Sequence, residues 1–135
     1  MNLKGVTTMK IFIDDLRAKP DKYDLKFESG EELLSWIDDN KDEVIELLSL
    51  DHDLNEGFMD GTELCRKLVE IDNLQLKSIQ FHSDNYQGIK NMYSIIASAK
   101  KVGLLENLRT TVPYKINVID GIESKMTFFD LRKQN

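Results

Sequence analysis

The sequence predicts an α/β domain built on a doubly wound, mainly parallel sheet. Three observations lead there. Short apolar runs at Met9–Ile13, Ile45–Leu50 and Ser78–Phe81 alternate with amphipathic helical patterns, as buried parallel strands do. Each run stops at polar residues: Asp14-Asp15-Leu16-Arg17, Asp51-His52-Asp53 and His82-Ser83-Asp84-Asn85. In open α/β sheets ligands bind beyond the carboxyl ends of the strands, so these acids and imidazoles should converge on one site. Both histidines of the chain, His52 and His82, fall at such ends, where scattered surface histidines would seldom be found.

Met9–Ile13 is the first strand, and alternating apolar positions make Tyr23–Phe27 the second, across a loop at Ala18-Lys19-Pro20-Asp21. Ser29-Gly30-Glu31-Glu32 is a capping-box pattern that opens a helix to about Ile37, with Leu33, Leu34 and Ile37 on one face. Polar residues Asp38–Glu43 turn the chain into the third strand, Ile45–Leu50. A glycine-bearing loop follows, and Asp60 with Glu63 caps a helix carrying Leu64, Leu68 and Ile71 before the fourth strand, Ser78–Phe81. Gly88–Val102 is a helix with Ile89, Met92, Tyr93, Ile96 and Ala99 along one side, Lys100 and Lys101 in its last turn and Gly103 as its stop. Tyr114–Ile119 and Met126–Phe129 read as an antiparallel pair at a sheet edge, around the turn-forming Asp120-Gly121. Right-handed crossovers between the earlier strands give a layout resembling flavodoxins and response-regulator receivers.

At 135 residues the chain is one domain able to bury a core. Met1–Thr8 reads as an N-terminal extension, residues 9–135 as the domain, and 103–135 as a C-terminal addition to it. The formal charge of −6 argues against binding duplex DNA, whose phosphates need a basic surface, and leaves room for a small anion held locally. No apolar run is long enough for a membrane, no signal peptide opens the chain and the lone Cys65 cannot form an internal disulfide. A cytoplasmic location is therefore expected.

Adjacent carboxylates such as Asp14 and Asp15 either bind a hard cation or raise one another's pKa, although an isolated pair of this kind more often caps a loop. Asp51 and Asp53 share a side if their segment stays extended, leaving His52 opposite; the bland alternative is a loop whose acids satisfy backbone amides. His82, Ser83 and Asn85 offer an imidazole, a hydroxyl and an amide suited to phosphate oxygens at a helix start, where one residue of the cluster also serves as N-cap. Arg17 presents a planar fork suited to phosphate, or equally an ordinary salt bridge to the neighbouring acids. Trp36 and Cys65 read as packing residues, since Cys65 has no cationic activator beside it.

Taken together, Asp14-Asp15-Leu16-Arg17, Leu50-Asp51-His52-Asp53-Leu54 and His82-Ser83-Asp84-Asn85 with Gly88, Asn91 and Met92 resemble the cyclic-phosphate-processing receiver-like family, over roughly Met9–Gly103. The chain departs from that family at Leu16, where an acid is common, and at Tyr86, where a proline is common. The resemblance implies a phosphoesterase acting on a cyclic nucleotide or a cyclic-phosphate RNA end. His52 and His82 would then exchange protons with water and the leaving ribose oxygen, with Asp14 and Asp51 completing the catalytic set. Arg17, Asp53, Ser83 and Asn85 would hold the substrate. Asp14, Asp15 and Asp51 offer a place for magnesium or manganese that this chemistry does not require. Two rivals use the same pocket: a phosphoacceptor receiver centred on Asp51, and a non-catalytic cyclic-nucleotide binder. The first is handicapped because Lys115 falls at the wrong end of its strand and Lys125 in a loop. The tail after Gly103 is open to gating the site, extending the sheet or forming a homodimer.

Overall fold

The computed structural model describes residues 8–111 and 114–127. Along the chain run β1 (Thr8–Ile13), β2 (Leu25–Phe27), α1 (Gly30–Asp39), β3 (Val44–Leu50), α2 (Gly61–Val69), β4 (Ser78–Phe81), α3 (Tyr86–Lys101), β5 (Arg109–Thr110), β6 (Tyr114–Ile119) and β7 (Ile122–Thr127). β1 to β5 form one parallel sheet in the order β2-β1-β3-β4-β5, the receiver and flavodoxin order. Among the described residues, no helix is long and apolar enough to cross a membrane.

Each helix starts where a side chain can satisfy its first free amides. Ser29 Oγ accepts the Glu32 amide, Asp60 Oδ1 that of Glu63 and Asn85 Oδ1 that of Gly88, at 3.2, 2.9 and 2.8 Å. Asn85 is thus the cap within the His82-Ser83-Asp84-Asn85 cluster, and its helix begins two residues before Gly88.

The direction in which the chain winds across the sheet reverses once. From β2 the chain moves steadily across the sheet to β5, and right-handed crossovers then require α1, α2 and α3 to lie on one face. Their Leu33, Ile37, Leu64, Leu68, Ile89, Met92 and Ile96 join Ile11, Ile13, Leu48, Leu50, Ile79 and Phe81 in one buried cluster. The alternate strand positions Phe12, Ser49 and Gln80 point the other way. That second face is covered by the β1–β2 loop, which contributes the buried Tyr23, and by β6 and β7, where Ile116 is buried.

The tail differs from expectation in three respects. It begins with a strand of the main sheet, since β5 pairs with β4 in a two-residue ladder too short to leave a periodic signature. β6 and β7 form a separate two-stranded sheet instead of extending the edge. β7 also starts directly after the two-residue turn, in which Asp120 and Gly121 have φ of 52° and 79°, so it spans Ile122–Thr127. Lys125 accordingly lies in a strand, while Phe128 and Phe129 fall outside the described residues. At the other end, Thr8 already belongs to β1.

Gly61 marks a close approach of helix α2 to the backbone of the site. A Cβ there would sit 2.7 Å from the Asp51 carbonyl oxygen and 2.8 Å from His52 Cα, backbone that cannot swing aside. Gly61→Ala is therefore expected to cost about 2 kcal/mol, read as a lower denaturant midpoint at unchanged slope; an unaltered midpoint would refute this packing.

Candidate functional site

The site follows from strand register. Ile13 pairs with Leu50 and Leu50 with Phe81, so the residues one step beyond, Asp14, Asp51 and His82, form a single row across three neighbouring strands. Their backbones continue the ladder, with the Asp51 amide donating to the Ile13 carbonyl and the His82 amide to that of Leu50. All three are buried. The row lies at the junction of β1 and β3, where the direction of winding reverses.

Arg17 bridges the acids. Its guanidinium donates to Asp14 Oδ2 at 3.0 Å, Asp51 Oδ2 at 3.4 Å and Asp84 Oδ2 at 2.9 Å. Asp14 Oδ1 accepts the Leu16 and Arg17 amides at 2.8 and 2.7 Å, folding the loop so that Arg17 turns back over the strand ends while Leu16 faces solvent. Burial alone would raise the Asp14 pKa; bonds from His82, Arg17 and Leu16 outweigh it and hold the carboxyl well below its usual range.

Asp51 behaves in the opposite way. Burial, reinforced by the neighbouring Asp14 charge, pushes its pKa up to about 7, against weaker opposition from the Ser83 hydroxyl and Arg17. Ser83 Oγ in turn accepts the Asn85 amide at 3.0 Å.

The two histidines do not meet, for a reason of parity. His82 shares the face of Phe12, on whose ring it stacks at 4.3 Å. Its Nε2 lies 2.9 Å from Asp14 Oδ2 and its Nδ1 2.7 Å from Ser49 Oγ. Burial lowers its pKa more than Asp14 raises it, so the ring is neutral and its Nε2–H donates to the Asp14 carboxylate. His52 is one residue out of the row and turns to the helix side, where a Cβ on Gly88 would strike its ring. There its Nδ1 lies 2.8 Å from Asp53 Oδ1, and its Nε2 3.0 Å from Thr62 Oγ1. Asn85 Nδ2 also donates to Asp53 Oδ1, at 3.1 Å. Asp53 and Asn85 thus belong with His52, apart from the Asp14–Asp51–His82 row.

Asp14, Asp51 and His82 each offer one donor atom, all within 4.8 Å of one another. The Arg17 guanidinium already bonds both carboxylates, and His82 turns an N–H toward Asp14, so these donors fit a divalent ion only if Arg17 withdraws. Asp15 lies outside the cluster. Sequence reading overlooked Ser49, Gln80 and Thr62, which touch the histidines or their partners. Ser49 and Gln80 had left a signal, each a lone polar residue inside an apolar strand.

A parallel sheet in receiver order, with an aspartate row at its switch point, defines a receiver-like α/β domain. The sequence profile of the family described as "Cyclic-phosphate processing Receiver domain" matches residues 9–98, and the chain belongs to that family. No curated protein matches the chain. Among solved structures, it is similar to the phosphorylated cyanobacterial phytochrome response regulator RcpA, at 18% identity and a TM-score of 0.45 over 65% of this chain and 75% of that one. It is also similar to a fusion carrying a yeast Spc42 trimeric coiled-coil segment, at 15% identity and a TM-score of 0.47 over 76% and 83% of the two chains.

The Asp51 shift has a consequence for stability. Between the ordinary value of 3.8 and about 7 the folded state keeps a proton that the unfolded chain has released, so stability falls as pH rises through that window. Asp51→Asn should remove this fall and gain about 1–3 kcal/mol over the parent above pH 7, with little difference near pH 4. Melting curves between these limits test it, and parallel profiles would contradict a proton held on Asp51.

Proposed function

We propose that the domain hydrolyses a cyclic phosphodiester, on a cyclic nucleotide or a cyclic-phosphate RNA end, and that Asp51 is the proton acceptor. The observation that carries this is the Asp51–Arg17–Ser83 group: a carboxylate titrating near neutrality beside a guanidinium and a hydroxyl suited to phosphoryl oxygens. Family membership points to the same substrate class. Water attacks phosphorus while its proton passes to Asp51; the bond from phosphorus to one ribose oxygen breaks, and that oxygen takes a proton from His52. In-line displacement places acceptor and donor on opposite sides of phosphorus, which suits Asp51 and His52 because they face opposite sides of the sheet end. His52 Nε2 must exchange Thr62 for the substrate, with Asp53 holding the other nitrogen.

In this scheme Arg17 releases the exposed Asp84 to take a phosphoryl oxygen, and Ser83 and Asn85 supply further donors. Both ring nitrogens of His82 are engaged, Nε2 with Asp14 and Nδ1 with Ser49, so its part is to hold Asp14, which in turn holds Arg17. This differs from the expectation that one histidine takes the proton of water while the other gives one to the leaving ribose oxygen. The substrate is a small nucleotide or RNA end, and no step is routed through a metal ion.

A second reading, phosphoryl transfer to Asp51 itself, draws support from the aspartate row at the end of β3 with Ser83 after β4. Against it, the cation paired with Asp51 among the described residues is Arg17, donated from the β1 loop, with no lysine beside it.

Incubation with a panel of cyclic nucleotides and cyclic-phosphate-ended RNAs tests the reaction. Turnover should fall on the order of 10³-fold or more in Asp51→Asn and roughly 10²-fold in His52→Ala, with both variants folded. A stable phosphoryl group on Asp51 after acetyl phosphate treatment, seen by mass spectrometry with no cleavage of any substrate, would instead establish the phosphoacceptor reading.

A further inference from the structure

We infer that Glu123, carried on the C-terminal hairpin, is a positioning residue for His82, fixing through Tyr23, Gln80 and Ser49 which ring nitrogen carries the hydrogen. Five side chains form the chain of contacts. Glu123 Oε2 lies 3.2 Å from both Tyr23 Oη and Gln80 Nε2; Gln80 Nε2 lies 2.7 Å from Tyr23 Oη and 3.3 Å from Ser49 Oγ; Ser49 Oγ lies 2.7 Å from His82 Nδ1.

The direction of every bond follows from its end. A carboxylate only accepts, so Glu123 obliges Tyr23 to spend its one hydroxyl hydrogen there and Gln80 to turn its NH₂ that way. Of the two hydrogens on Gln80 Nε2, one is shared by Glu123 Oε2 and Tyr23 Oη, and the other goes to Ser49 Oγ, which accepts it. Ser49, having accepted, gives its own hydrogen to His82 Nδ1. Nδ1 therefore bears the lone pair and Nε2 the hydrogen, which goes to Asp14, the acceptor at the other end. Two carboxylates thus set one polarity from opposite ends. Because Gln80 and Ser49 lie on the sheet face away from the helices, the hairpin is the element that brings Glu123 to them. Its other carboxylate oxygen is paired with Lys22, which anchors the group without entering the chain.

The inference concerns the site of the proposed reaction but stands on hydrogen-bond direction alone, so it is tested without substrate. In ¹⁵N spectra of the full chain, Glu123→Gln should shift the His82 Nδ1 resonance, because an amide no longer obliges Tyr23 and Gln80 to donate and Ser49 is free to turn. Lys22→Met should leave that resonance in place. Backbone amide signals of β6 and β7 must stay at their parent positions in Glu123→Gln. Coincident His82 resonances in Glu123→Gln and parent would overturn the inference. So would an equal shift in Lys22→Met, or a shift accompanied by loss of the hairpin signals, since either would make docking the cause. If cyclic-phosphate turnover exists, Glu123→Gln should lower kcat on the order of tenfold with KM little changed. A moved resonance in a protein that cleaves nothing would keep the positioning role and remove the proposed reaction.

Discussion

The site depends on the register of three parallel strands. With Ile13, Leu50 and Phe81 level across β1, β3 and β4, the next residue of each strand has no choice of neighbour. A slip of one residue in any strand would send its member of the row to the other side of the sheet. The apolar residues behind the row oppose that slip, because it would also exchange Leu48 and Leu50 with Ser49, or Ile79 and Phe81 with Gln80, between the helix face and the polar face. Core packing and site geometry are thereby one constraint, and sequence periodicity reveals the site for that reason.

Two buried acids side by side would be costly unless a cation lay between them. Arg17 supplies it from a position three residues beyond Asp14, reached because Asp14 accepts two loop amides and turns the chain back. Each carboxylate is left in a different state. Asp14, with four donors, is ionised; Asp51, with its longer contact to Arg17 and Asp14 close by, holds its proton to near neutrality. An unequal pair is what proton transfer requires, since one member maintains the field while the other exchanges.

β1 to β4, the three helices and the caps Ser29 and Asp60 were legible because each rests on local information: an apolar run, a 3.6-residue stripe, a Ser or Asp three residues before its amide. Convergence of Asp14, Asp51 and His82 was legible from the shared position after each strand. Separation of the histidines was foreseen only in part, in the observation that His52 lies opposite Asp51 in an extended segment; the packing of Gly88 against that ring is a tertiary fact. β5 was missed because two residues carry no period, and the hairpin's place because nothing in Ile116 or Glu123 alone says which surface it covers. Nor does sequence reveal a pKa. Burial lowers the pKa of His82 and raises that of Asp51 to about 7, neither of which a sequence pattern announces.

The second face of the sheet explains why this domain carries a hairpin. Winding from β2 to β5 in one direction leaves all three helices on one side, and the short β1–β2 loop covers only part of the other. Under an apolar element Gln80 and Tyr23 on that side would lose the carboxylate that accepts from both, and a lost buried hydrogen bond of this kind costs about 1–3 kcal/mol. A hairpin bearing an acid solves both problems at once, burying Ile116 against the sheet while Glu123 accepts from Gln80 and Tyr23. The polar strand residues are thus intelligible as half of an interaction whose other half lies some forty to seventy residues further along the chain, at Glu123. What covers the sheet and what directs the hydrogen on His82 are consequently the same element.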